Sequence, residues 1–569
     1  MQSSTDRSGD GGTRRPGPAS ALSREALPVR AAIYAIVALA ALLVSFHIPF
    51  AEPLTDLFEE GEYLAPRLFF GSGTDGLPLL IHGYINYLPA QWALALCGPD
   101  RVVACTRAVD TAFTALAAFG FVGCSLALAR SREALVFTIL CAFAVLLLID
   151  GRLYDTISLQ QGTPSVRDVW LLIEVWCLLA TAGRTDRSAA VLGAAAGLVA
   201  GASLFWAYNR GLIGVIIVPL YAACAWWSGR GWRCVVAPLA GLTAGIALAL
   251  LAEPAMWWQH LANVRYWAQN AAIWQLPFSW KQTLYNSSFY PVVAAVLVVG
   301  AWQSCRLAFG RGRRSELPPT AVLLATVLLL AQQAWRRGDS MHLMFVVPWL
   351  FLLGVQLANS VGIAGQTRLT WRELAKRQAP LLAGLLGILF LDFHINVSVT
   401  RPLVTRAGAN LAMLARGLPS DRDLVSPAMQ AVAASLRQAD KGCTYVLNNA
   451  GAYYHLAGLR PCSTVMYPVY ASPEAERRVV ADLARTRPAL IVGNSAEWFS
   501  AIDRRSLADR TPLLAKWIAL HYPVVRCIGG TEIRSRVAGT AVPADGWGIA
   551  CPSPGVPKPD GAAAISRAG

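Results

Sequence analysis

Four carboxylates crowd into seven residues near the start of the chain, in Asp56-Leu-Phe-Glu59-Glu60-Gly-Glu62. Like charges this close raise one another's pKa, which suits one of them to taking a proton. On a helix, Asp56 shares a face with Glu59 and Glu60 through i,i+3 and i,i+4 spacing. Such a group positions a general base, or holds a divalent cation, over a substrate. The plain alternative is a solvated acidic loop. The cluster directly follows an apolar run instead of occupying a loop tip, and that favours the chemical reading.

Further along lies Leu80-Ile-His82-Gly83-Tyr84, where a lone His–Gly step fits a structural turn as well as a ligand contact. Three later segments carry charge beside apolar runs. They are Gln160-Gln161 through Arg167-Asp168, Trp206-Ala-Tyr208-Asn209-Arg210-Gly211, and Trp335-Arg336-Arg337-Gly338-Asp339-Ser-Met-His342. The planar guanidinium of arginine suits phosphate oxygens, and charges at membrane depth are seldom idle. Each segment has an alternative reading as an interfacial anchor or an Arg–Asp pair. Together, opposite the acidic cluster, they describe a site in which arginines hold an anionic lipid head and a carboxylate activates an acceptor.

The elements that must position these residues are membrane helices. The 569-residue chain is 55% hydrophobic and only 15% charged, with a mean hydropathy of +0.44. Soluble domains carry about 25% charged residues. The apolar residues cluster in runs long enough to cross a hydrocarbon core of ~30 Å as helix. Eleven spans are expected, at 31–49, 108–129, 133–149, 168–183, 189–206, 211–228, 234–252, 290–309, 319–335, 342–362 and 379–396. The polar, Gly/Ser/Arg-rich residues 1–29 read as a disordered cytoplasmic segment ahead of a retained signal anchor.

The net charge of +15 would suggest nucleic acid in a soluble protein. Here the basic residues sit in alternate short loops: Arg130 and Arg132, Arg184 and Arg187, Arg230 and Arg233, Arg311 to Arg314, and Arg368 to Arg377. That is the positive-inside pattern, so no nucleic-acid partner is expected. The N-terminus then lies in the cytoplasm and the C-terminal domain outside. All the chemical segments above fall on the exterior side, with the longer loops 50–107 and 253–289. The second of these holds Trp257, Trp258, His260, Tyr266 and Trp267, which read as helix lying in the interface, either as plain anchoring or as a surface receiving a lipid-linked substrate. The Arg- and Ala-rich composition reads as bacterial, which makes the membrane the plasma membrane and the exterior the periplasm.

Six of the twelve cysteines fall outside, and an oxidising exterior suggests disulfides. Proximity alone pairs Cys97 with Cys105, Cys443 with Cys462 and Cys527 with Cys551. No Cys or His spacing suggests zinc, and the sequence leaves a divalent cation open. Residues 397–537 change character. Leu424–Leu436 has helical spacing, 444–448 and 489–493 read as buried strands, and 473–486 as the helix between them. That order argues a small exterior α/β domain with a partly parallel sheet. A flexible tail is expected from 538 to 569. No glycine-rich phosphate loop is present.

On these residues the chain resembles the GT-C superfamily of polytopic membrane glycosyltransferases, including bacterial relatives of the protein mannosyltransferase and aminoarabinose transferase type. The resemblance rests on Asp56 and the Glu59-Glu60-Gly61 step, followed by Gly71 and His82-Gly83, and on the Arg336-Arg337-Gly-Asp339-Ser-Met-His342 segment. Tyr445 and the run from Tyr453-Tyr454 to Gly458-Leu-Arg460-Pro461 look like the exterior domain's strand, Tyr-rich turn and Gly-Arg-Pro step. Glu59 stands where other members often carry His. The resemblance implies inverting transfer of a sugar from a polyprenyl-phosphate donor to a cell-envelope glycan or lipid acceptor. It makes Asp56 the first candidate for the base, with Glu60 and Glu59 behind it. Arg210, Arg336 and Arg337 would bind the donor phosphate, with His82, Arg167, Asp339 and His342 completing the substrate-binding set. Rival readings are a transporter or flippase of lipid-linked saccharides, another lipid-dependent transferase, and a membrane scaffold. The polar residues gather at exterior span ends rather than at the midplane that transport requires, with Glu174, early in the fourth span, a partial exception.

Overall fold

The computed structural model describes residues 26–46, 50–51, 64, 79–80, 82–129, 139, 142, 166–182, 184, 186–252, 254–273, 289–310, 314–337, 345–361, 400–440, 442–447, 451–493, 501–502, 505–528 and 530–536. In lipid the backbone must satisfy its own hydrogen bonds, so the apolar runs become helices. They are α1 (Leu27–Ser45), α2 (Leu88–Cys97), α3 (Val102–Leu128), α4 (Val169–Ala180), α5 (Asp186–Ala202), α6 (Tyr208–Trp227), α7 (Arg233–Ala252), α8 (Pro254–Gln269), α9 (Phe289–Phe309), α10 (Leu317–Arg337) and α11 (Val347–Val361). Among the described residues, five helices are long and apolar enough to cross a membrane, and several shorter apolar helices accompany them. The expected spans at 133–149 and 379–396 lie outside the described residues, apart from residues 139 and 142. The other nine fall on α1, α3 to α7 and α9 to α11.

Helices α7 and α9 turn apolar side chains such as Leu251 and Val298 outward, as lipid-facing helices do. Among the described residues, α5 and α7 approach one another closely. A Cβ at Gly197 would stand 2.0 Å from the Pro238 carbonyl oxygen, and one at Gly241 would stand 2.1 Å from that of Ala194. Small residues every fourth position let the two backbones touch, which is how helices associate where lipid removes the hydrophobic drive.

Beyond the bundle, α12 (Thr400–Arg416) leads into the C-terminal region, an element the sequence reading did not foresee. It is followed by α13 (Pro427–Ala439), β1 (Cys443–Val446), α14 (Ala452–Ala457), β2 (Arg460–Pro461), α15 (Pro473–Thr486), β3 (Leu490–Val492), β4 (Ala501–Ile502), β5 (Arg505–Ser506), α16 (Pro512–His521), β6 (Val524–Ile528) and β7 (Thr531–Ser535). The main sheet has the order β2-β1-β3-β7-β6. β1 pairs in parallel with both β2 and β3, with α15 crossing between, while β7 pairs antiparallel with β3 and β6. The strand–helix–strand unit is where the sequence placed it. The β6–β7 hairpin makes the sheet mixed.

The domain does not stand apart from the bundle. Val102, Val103, Ala104 and Ala90 are buried in the same apolar core as Val432, Leu436, Tyr445 and Val479. The first turn of α3 is capped from the domain: both Val102 N and Val103 N donate to the Asp421 carboxylate, at 3.2 and 2.9 Å. The His455 Nε2 lies 2.9 Å from the same carboxylate. Disulfides join Cys97 to Cys105 and Cys443 to Cys462. Cys527 is disulfide-bonded as well; its expected partner Cys551 lies outside the described residues.

Candidate functional site

The His82-Gly83 step is a turn with a specific job. Gly83 has φ +113°, and a Cβ there would stand 2.8 Å from the Trp206 carbonyl oxygen. Only glycine adopts that backbone at that approach without strain. The contact lets the turn be stitched to the segment entering α6. Tyr84 N donates to Phe205 O, Ile85 N to Trp206 O, and Tyr208 N to His82 O, at 2.9 to 3.0 Å. Two motifs more than a hundred residues apart are thereby one piece of structure.

Arg210 lies in the first turn of α6 and Asp168 immediately before α4. Arg210 Nε donates to Asp168 Oδ1 at 2.6 Å, with both side chains almost fully buried. Of the sequence readings for this arginine, the Arg–Asp pair is the one seen in the structure. Trp206 Nε1 donates to Val166 O at 2.7 Å, so the buried Arg167 sits on the same junction. The Arg210 guanidinium also stands 6.0 Å over the Phe345 ring, three residues beyond His342. Three of the four segments therefore converge, and Phe345, beyond the fourth, stands beside them. Arg336 and Arg337 close α10. Asp56, Glu59, Glu60, Asp339 and His342 lie outside the described residues.

The chain just ahead of the acidic cluster is held from two sides. Asn410, on α12, donates through Nδ2 to Phe46 O at 2.8 Å and accepts from Phe50 N at 3.1 Å. Arg107, on α3, donates to Phe50 O at 3.2 Å. Arg107 and Asp110, one turn apart, are each 1% exposed. Sequence reasoning missed all three. The Arg–Asp step at the edge of an apolar run was a usable signal; the lone Asn410 was not.

Helix α8 packs over these segments. Tyr84 donates its hydroxyl to Gln259 Oε1 at 2.6 Å, and Trp267 Nε1 donates to Leu80 O at 3.0 Å. His260 packs its ring against Phe205 and Tyr208, with centroids 4.9 and 5.1 Å apart. Burial pushes its imidazole down to about 4, so the ring is neutral at neutral pH. Its Nδ1 and the Tyr208 hydroxyl are buried without a hydrogen-bond partner among the described residues. Buried polar atoms in that state fit a bound polar group. Between α8 and residues 464–478 opens a cavity of about 620 Å³, lined by Gln259, Asn263, Arg265, Tyr266, Glu474 and Arg478. It has the size of a small-molecule site. No group of three or more metal-ligating side chains occurs among the described residues.

No family model matches the sequence, and no curated protein matches it. Several solved structures are similar in chain path. One is the crystal structure of ArnT from Cupriavidus metallidurans bound to undecaprenyl phosphate, with 13% identity and TM-score 0.44, covering 91% of this chain and 100% of that one. Another is the Archaeoglobus fulgidus oligosaccharyltransferase in the apo form, with 10% identity and TM-score 0.46, covering 89% and 75%. The same enzyme tethered to an acceptor peptide containing the NVT sequon has 10% identity and TM-score 0.38, covering 89% and 74%.

Proposed function

We propose that this multi-pass membrane protein is a glycosyltransferase that moves a sugar from a polyprenyl-phosphate donor to a cell-envelope glycan or lipid acceptor, at the end of the bundle that carries the C-terminal domain. The observation that supports it most is the convergence of the His82-Gly83 turn, Arg167 and the Arg210–Asp168 pair, next to a chain segment anchored only a few residues before the acidic cluster. The disulfides at this end support an exterior location.

In this reading a first-loop carboxylate, Asp56 first and Glu60 or Glu59 behind it, takes the proton from the acceptor hydroxyl. The acceptor oxygen attacks the anomeric carbon while the bond from that carbon to the donor phosphate oxygen breaks, inverting the centre. The lipid phosphate leaves with the electron pair. Arg336 and Arg337, with Arg167 and Arg210, stabilise its charge, Asp168 holding Arg210 in register. His82, Asp339 and His342 complete the substrate-binding set. The 620 Å³ cavity receives the acceptor. General-base help is worth about 10²–10⁴-fold, and one well-placed donor to the leaving group about 10²–10³-fold.

The test is release of labelled sugar from a panel of polyprenyl-phosphate sugars by purified protein. Transfer lost in Asp56→Asn, with unfolding unchanged, supports both class and base. Transfer retained there moves the base to Glu60 or Glu59. Glu174 favours the second reading, transport of lipid-linked saccharides: it is 1% exposed within α4, and its Oε1 has no partner among the described residues. No turnover with any donor, alongside saccharide uptake into vesicles that Glu174→Gln abolishes, would replace the enzyme by the transporter.

A further inference from the structure

At the end of the bundle opposite the C-terminal domain, α1 begins, and α3 and α4 finish. There the helices leave a cavity of about 330 Å³, whose lining includes Leu27, Arg30, Ala31, Tyr34, Trp176 and Arg184. Its floor is aromatic. Tyr34 lies 5.7 Å from Trp176 and 6.2 Å from Phe119, with Phe119 and Trp176 edge to face at 5.3 Å. Trp176 lies flat across α3 because position 123 is glycine: a Cβ there would stand 2.6 Å from the indole. Two arginines reach this cavity, and among the described residues none that lines it is acidic. The Arg30 Nε is buried without a hydrogen-bond partner among the described residues, a state that an anion at the site would relieve.

The cavity also opens onto lipid. Leu27 is 72% exposed at its lip, and apart from the two arginines the described lining is apolar or aromatic, with Ala31, Leu126, Ala127 and Ala180 beside Tyr34 and Trp176. A cavity that joins two arginines to an apolar lining is complementary to one molecule with both parts. Basic pockets between membrane helices bind anionic head groups in this way. We propose that this cavity binds an anionic phospholipid, its phosphate held by Arg30 and Arg184 and its acyl chains against the apolar lining, independently of the reaction at the other end.

Native mass spectrometry of the full-length protein in detergent, with equimolar phosphatidylglycerol and phosphatidylcholine, tests it. Retained adducts should favour phosphatidylglycerol, and each of Arg30→Gln and Arg184→Gln should cut that preference about fivefold. Ala31→Trp, which fills the cavity without altering charge, should remove the adduct. This variant keeps the test decisive if an arginine variant does not fold. An unchanged preference in both arginine variants, or an adduct that survives Ala31→Trp, overturns the proposal. So does displacement of the lipid by excess inorganic phosphate alone, which would make the site one for free anions.

Discussion

At the residue scale, the site is an arrangement of charges that burial makes unforgiving. Asp168 and Arg210 are both withdrawn from water. Removing one partner leaves the other uncompensated, which costs about 3–5 kcal/mol. Asp168→Ala should therefore lower thermal stability by that order, whereas Arg210→Lys, which keeps the charge but loses the planar fork, should retain fold and lose turnover. Differential scanning calorimetry beside the transfer assay separates the two. His260 gives a prediction in pH. Its folded-state value is about 4 against an ordinary 6.5. Below about 6.5 the unfolded chain binds a proton that the folded protein refuses, so stability falls as pH drops from 6.5 toward 4 and is fully present above that window. His260→Phe should flatten this part of the profile of melting temperature against pH, and an unchanged profile would show that the ring protonates freely.

At the scale of elements, the chain ahead of the acidic cluster is held by two others. Helix α1 ends and the chain is caught at Phe46 and Phe50 by Asn410 and Arg107. Displacement of about 1 Å at a reacting group costs about 10²-fold in rate. Asn410→Leu should accordingly lower kcat by roughly that factor with little change in the donor KM, and Asn410→Asp, which keeps an acceptor for Phe50 N, should recover part of it. Steady-state kinetics reads both, and a change confined to KM would sink the positioning role. The α5–α7 pair makes the same point about close approach. Gly193, Gly197 and Gly201 stand at four-residue spacing opposite Pro238, Gly241 and Gly245. That spacing was visible in the sequence, but the partner helix was not.

At the scale of the whole molecule, the two ends of the bundle differ. One carries the sheet domain, the disulfides and the converged motifs. The other carries the described arginines of the short loops, Arg184, Arg187, Arg230, Arg233 and Arg314. If the first end faces outside, a thiol at Arg485→Cys, on the exposed side of α15, will react with a membrane-impermeant maleimide in intact cells. Arg187→Cys, at the start of α5 and also exposed, will react only after permeabilisation. The opposite pattern inverts the topology. Docking is also a whole-molecule property. Asp421 caps α3 from the C-terminal region, and the apolar core runs through both parts, so the domain is held against the helix bundle.

Much of this was legible from composition and period alone. Runs of apolar length fix helices because lipid offers the backbone no other partner, and nine expected spans fall on described helices. The strand–helix–strand order of residues 443–492 was readable because buried strands and an amphipathic helix have different periods. His82-Gly83, Arg167 and Arg210 were each found as residue types at span ends. Their meeting was not, because hydrogen bonds such as Tyr208 N to His82 O join segments whose separation along the chain says nothing of their separation in space. Asn410 and Asp421 were invisible for a related reason. A single polar residue acquires its role from the backbone groups that another element leaves unsatisfied, and only the tertiary structure decides which groups those are.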